Sequence, residues 1–99
     1  MNTEHRIAAL ISAEHPSLPG HFPGAPMVPG VVMLERVVAA IRAASGEATI
    51  SGMPAVKLLR PLLPGQAFEI VLEQAGVSQW KFRCESADGL LAQGSVSLA

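Results

Sequence analysis

From residue 31 to Ser45 the chain reads VVMLERVVAAIRAAS, and Gly46 follows as a stop signal. Apolar residues occupy every face of this helical run, and only Glu35, Arg36 and Arg42 interrupt them. A helix apolar all round is a buried helix. No run in the chain approaches the roughly 18 apolar residues needed to cross a bilayer, so the cover has to come from protein. With only 99 residues there is one domain, spanning 1–99, and its other segments must wrap the helix.

Those segments read as strands. HRIAALISAEH, 5–15, mixes β-branched and small residues and ends at His15-Pro16. ATISGMPAVKLLRPL, 48–62, is extended, with a break expected at Gly52 to Pro54, and PGQ at 64–66 is turn chemistry. FEIVLEQA, 68–75, alternates Phe68, Ile70 and Leu72 with Glu69 and Glu73. QWKFRCES, 79–86, places Trp80, Phe82 and Cys84 on one face and Lys81, Arg83 and Glu85 on the other. Ala87-Asp88-Gly89 is a hairpin turn of the Asp-Gly kind, and LLAQGSVSLA returns as the last strand. One hydrophobic helix plus antiparallel strands predicts an α+β fold with a curled sheet wrapped around the helix.

Composition narrows the setting. The chain is 49% hydrophobic and 15% charged, which leaves a small domain short of polar cover. Domains of this size bury only roughly 60–65% of their unfolded surface, so a subunit interface, at least a dimer, is expected. A net charge of −1 gives no general attraction to nucleic acid. Cys84 is the only cysteine, so neither an intrachain disulfide nor a thiolate metal cluster is available, and a reducing, cytoplasmic setting fits. The apolar stretch IAALISA at 7–13 is too short and too poorly flanked, by Glu4 and Glu14, for a cleaved signal.

Between the first strand and the helix lies PSLPGHFPGAPMVPG, 16–30, with five prolines and three glycines. Proline fixes φ and has no N–H, so this is an ordered coil. The block Gly20–Glu35, GHFPGAPMVPGVVMLE, resembles the active-site stretch of the hotdog-fold 3-hydroxyacyl-[acyl-carrier-protein] dehydratases of FabA/FabZ type. VKLLRPLLPGQAFEI at 56–70 is similar to that family's strand and turn, and GVSQWKFRCESADGLLAQGSVSLA at 76–99 to its closing strands. Three blocks in the same order carry the likeness. Gln66 and Ala25 depart from the family's usual residues, and an N-terminal strand-and-loop region of its housekeeping members has no counterpart. The chain therefore resembles a compact relative serving a specialised acyl pathway such as polyene pigment synthesis.

The resemblance implies a hotdog fold, a curled antiparallel sheet around one long central helix. It implies a homodimer, or a trimer of dimers, in which the histidine and the acid of one site come from different protomers. The implied substrate rides on the phosphopantetheine of an acyl carrier protein, with no metal or redox cofactor. Removing water from a 3-hydroxyacyl thioester needs a base for the α-proton, an acid for the leaving hydroxide and a group to hold charge on the thioester oxygen. His21 suits the base, being mostly neutral near pH 7 at its ordinary pKa of about 6.5. Glu35, on an apolar helix, is expected to be desolvated, protonated and able to donate. Gly30, at the helix start, presents a backbone N–H without an intrahelical partner and no Cβ to bar a carbonyl; the resemblance gives it the oxyanion-hole role. The proline cluster then fixes His21 relative to the helix start. Phe22, Pro23, Gly24, Pro29 and Val31 are expected to line the substrate. A carrier protein is acidic, so Lys57, Arg60, Lys81 and Arg83 are its candidate docking residues.

Structural alternatives stand beside these roles. His21 could be a hydrogen-bonded loop histidine, Glu35 could pair with Arg42, and Gly30 could be a plain turn glycine. His5 and His15 read as surface residues, Trp80 and Phe82 as core, Cys84 as unreactive, and Met27, Met33 and Met53 as packing, with Met27 or Met33 able to line an acyl pocket. A hotdog thioesterase, or a non-catalytic hotdog subunit paired with an active one, are the competing functions.

Overall fold

The computed structural model describes residues 4–12, 28–46 and 49–99. They form β1 (Glu4–Leu10), α1 (Gly30–Ser45), β2 (Ile50–Leu58), β3 (Ala67–Gln74), β4 (Gln79–Ser86) and β5 (Gly89–Leu98). The strands make one five-stranded sheet in the order β1-β3-β4-β5-β2, with every neighbouring pair antiparallel. β1 and β2 are therefore its two edges.

Alternation decides what faces the helix. Phe68, Ile70 and Leu72 of β3, and Trp80, Phe82 and Cys84 of β4, are all buried in one core with Val32, Met33, Val37 and Ile41 of α1. Burying each large side chain contributes about 1.5–3 kcal/mol. The expected face of β4 is thus the observed one. The ring of His5 on β1 leans on Trp80, centroids 5.8 Å apart and planes at 50°. The Trp80 Nε1 is buried without a hydrogen-bond partner among the described residues.

Three expectations change. The first strand ends at Leu10, and its expected continuation beyond Ser12 lies outside the described residues. No break interrupts β2 at Gly52 to Pro54; instead the β2–β5 register shifts between Ile50 and Gly52 and again between Gly52 and Ala55. A bulge absorbs the irregular residues and the strand carries on. It passes so close to β5 that a Cβ on Gly94 would strike the Ala55 carbonyl oxygen and the Phe82 ring.

The helix is the third. It has 16 residues and closes as expected, with Gly46 in the left-handed region (φ 77°) donating its N–H to the Arg42 carbonyl. Yet it is not buried on all sides. Val31 is 62% exposed, and Glu35, Arg36, Ala39 and Arg42 to Ala44 are exposed too. The sheet of one chain curls over a single side of α1, which leaves a stripe of alanine, valine and charge bare.

On the outer face the cross-strand neighbours Arg6, Val71 and Arg83 stand side by side. Arg6 pairs with Glu69 at 2.7 Å, Glu4 at 3.0 Å and Glu85 at 3.7 Å, and Arg83 with Glu85 at 3.3 Å and Glu4 at 3.4 Å. Val71, between these two arginines in the register, is only 1% exposed.

Candidate active site

The helix start is built without a side-chain cap. Pro29 holds the cap position at φ −57° and ψ 140°, its carbonyl accepts from the Val32 N–H at 2.9 Å, and no acidic residue sits in the first turn. The N–H groups of Gly30 and Val31 have no intrahelical partner, and the positive end of the helix dipole lies behind them. Gly30 occupies the first helical position, as expected. Its φ is not in the left-handed range, so the backbone does not demand glycine there. A Cβ there would lie 2.7 Å from Cδ1 of Leu58, the end of a half-exposed side chain that would have to move aside.

Pro29 and Gly30 open onto a groove of about 400 Å³ between the first turn and the chain leaving β2. Val28, Met33 and Leu62 are its buried floor, and Leu58, Leu59 and Arg60 stand along its other wall. Backbone bonds tie the walls. The Val28 N–H donates to Leu62 O at 2.8 Å, and the N–H groups of Leu59 and Arg60 donate to Leu91 O at 2.8 and 3.1 Å. Met33, read from the sequence as packing, is buried in the core and also lines this groove. Leu58 went unnoticed in the sequence. Its signal was the Lys57-Leu58 pair continuing the alternation of β2, which turns Lys57 outward and Leu58 toward the helix.

His21, Phe22, Pro23 and Gly24 lie outside the described residues, as do His15 and Met27. Glu35 is on the exposed stripe of α1, four residues from exposed Val31 and four from exposed Ala39. Its side chain is exposed, so no burial of the carboxyl is seen among the described residues. Its alternative partner is absent too, because no ion pair joins Glu35 to Arg42 among the described residues.

The four basic residues separate. Lys57, Lys81 and Arg83 line one outer-face groove of about 800 Å³, together with Glu73, Gln93 and Ser95. Arg83 is already engaged by Glu4 and Glu85. Arg60 is elsewhere, on the helix-start groove and on a neighbouring cavity shared with Gln66 and Asp88. Burial pushes the Cys84 thiol up to about 12, so it is an inert core group. Among the described residues no helix is long and apolar enough to cross a membrane, and no cluster of three His, Cys, Asp or Glu could hold a metal ion.

Relatives of known kind agree with this architecture. A 3-hydroxyacyl-[acyl-carrier-protein] dehydratase FabZ of Thiobacillus denitrificans is 30% identical over 108 aligned residues, covering 92% of this chain and 74% of that protein. The FabZ of Natranaerobius thermophilus is also 30% identical, covering 96% and 77%. Among solved structures, the dehydratase heterocomplex ApeI:P from Xenorhabdus doucetiae superposes with a TM-score of 0.84 at 24% identity, covering all of this chain and 94% of that one. The sheet, the single helix and that superposition make this a hotdog fold. The description of the ApeI-like family, ApeI dehydratase, matches residues 1–95; the chain belongs to that family, a branch of the hotdog dehydratases of FabZ type.

Proposed function

We propose that this protein removes water from 3-hydroxyacyl thioesters carried on an acyl carrier protein, giving trans-2-enoyl thioesters. The observation that carries the reading is the uncapped helix start at Gly30, opening on an apolar groove in a chain of a dehydratase family. The thioester oxygen accepts from the Gly30 N–H, where charge gathers as C2 loses its proton. His21 takes that proton. The C3–O bond breaks, and Glu35 delivers a proton to the departing hydroxide, which leaves as water. No redox change occurs, and the only prosthetic element is the phosphopantetheine arm of the substrate. Arg60, beside the groove, is the best placed of the basic residues to meet an acidic carrier. We extend the reading to a specialised acyl pathway, such as polyene pigment synthesis, as its setting.

The working unit in this reading is a pair of hotdog chains. Glu35 lies on a bare helix stripe, and β2 is an unpaired edge with Val56 40% and Leu58 54% exposed. A partner seated there would cover both and supply the desolvation that Glu35 needs to hold a proton. We take the partner to be a second copy. The Xenorhabdus neighbour is a heterocomplex, and a purified chain that stays monomeric and inactive until a different hotdog chain is added would replace the homodimer by that arrangement.

Incubation with 3-hydroxyacyl carriers of increasing chain length, followed by mass spectrometry, tests the reaction. Loss of water with the thioester intact supports it, whereas release of free thiol would make the protein a thioesterase. His21→Ala is expected to abolish enoyl formation, by at least about 100-fold, without changing the melting temperature. Near wild-type turnover in that variant would remove His21 from the mechanism.

A further inference from the structure

The helix-start groove has walls anchored through the backbone and, at its Gly30 end, a side chain free to move. Its floor is closed by the Val28–Leu62 bond, and its far wall is anchored through Leu59 and Arg60 to Leu91. The backbone of Leu58 is held in register with Ala92 of β5. The Leu58 side chain is held far less. It is 54% exposed, so core packing does not lock its rotamer. One of its methyl groups nevertheless presses on the Gly30 end of the groove, with Cδ1 2.7 Å and Cδ2 3.7 Å from where a Gly30 Cβ would stand. A carbonyl approaching the Gly30 N–H from the groove has to share that space with Leu58.

We propose that Leu58 is the specificity-determining side chain of this site. Its isobutyl group sets how bulky an acyl group can be while its carbonyl rests against Gly30. This inference rests on the dehydratase reading for the reaction, but not for the binding. The occupant follows from the lining. An apolar floor of Val28, Met33 and Leu62 suits an acyl tail. Arg60 at the rim, exposed and without an ion pair among the described residues, suits an anionic head. Asp88, which shares the next cavity with Arg60, accepts instead from the Gln66 Nε2 at 3.2 Å. An acyl group on a phosphate-bearing arm has this apolar-then-anionic order. Leu58 acts by excluded volume: in its present rotamer it admits a slender chain, and it must swing into solvent for one that is branched near the thioester.

Leu58→Ala should raise the kcat/KM ratio of a 2-methyl-3-hydroxyacyl to a straight-chain 3-hydroxyacyl pantetheine phosphate by about ten-fold or more, and Leu58→Phe should lower it by a similar factor. The same variants, in the assembled protein, are titrated calorimetrically with unreactive amide analogues of the two acyl pantetheine phosphates. The ratio of the two dissociation constants should shift in the same directions. Melting curves verify folding, and if Leu58→Ala fails to fold, Leu58→Phe and Leu58→Met carry the comparison. Ratios that stay within about two-fold of wild type in every folded variant overturn the role of Leu58, whether or not the enzyme dehydrates. A wild type that yields no enoyl product, but whose binding ratio moves with Leu58, sinks the dehydratase reading and upholds the gate.

Discussion

The two edges of the sheet are finished differently. β1 carries Glu4 and Arg6 on its outer face, tied by ion pairs to Glu69, Glu85 and Arg83 on the strands beside it. Charge of that kind discourages another strand from pairing. β2 reads ISGMPAVKL, with Lys57 its only charge, and keeps Val56 and Leu58 in view of solvent. An apolar, unpaired edge strand marks a surface meant to be covered. One edge is thus closed by its own ion pairs, while the other, which brings Leu58 against Gly30, is left apolar, and under the proposed function a partner covers it.

The largest way to break this contrast is at the seam that seats β2. Gly94→Val puts a side chain against the Ala55 carbonyl and the Phe82 ring, and we expect a loss of about 3 kcal/mol or more in chemical denaturation. A variant as stable as wild type would mean that β2 lies farther from β5. Next, Val56→Glu places a charge on the edge we assign to a partner. Self-association should weaken by at least about 100-fold in sedimentation experiments, with enoyl formation lost alongside and the fold of the monomer kept. Unchanged assembly would move the interface elsewhere. The smallest effect belongs to the other edge. Arg6→Gln should lower the melting temperature slightly at low ionic strength and not at all in concentrated salt, because half-exposed pairs are screened. A dissociated assembly in that variant would reverse the roles given to β1 and β2.

Much of the sheet was legible from period two. Phe68-Ile70-Leu72 and Trp80-Phe82-Cys84 announce their buried face, and Gly46 announces the end of the helix. The bare stripe of α1 was not, because Ala39, Ala43 and Val31 look alike whether a sheet or a second chain covers them. The Gly52–Pro54 irregularity read as a break because sequence shows the awkward residues and not the neighbouring strand that tolerates a bulge. Of the site, the place of Gly30 followed from the proline-rich approach to the helix. The exposure of Glu35 did not, since a carboxylate inside an apolar run reads alike on a covered or an open helix face. Leu58 was hidden in an apolar run, and only the approach of β2 to the helix start singles it out.

The ring contact between His5 and Trp80 has an optical consequence. The chain has one tryptophan and no tyrosine, so its ultraviolet emission arises at a single spot under β1. Fluorescence will report β1 peeling from the sheet and stay nearly silent when β2 meets a partner, which makes this protein a dye-labelled edge with a dark one opposite.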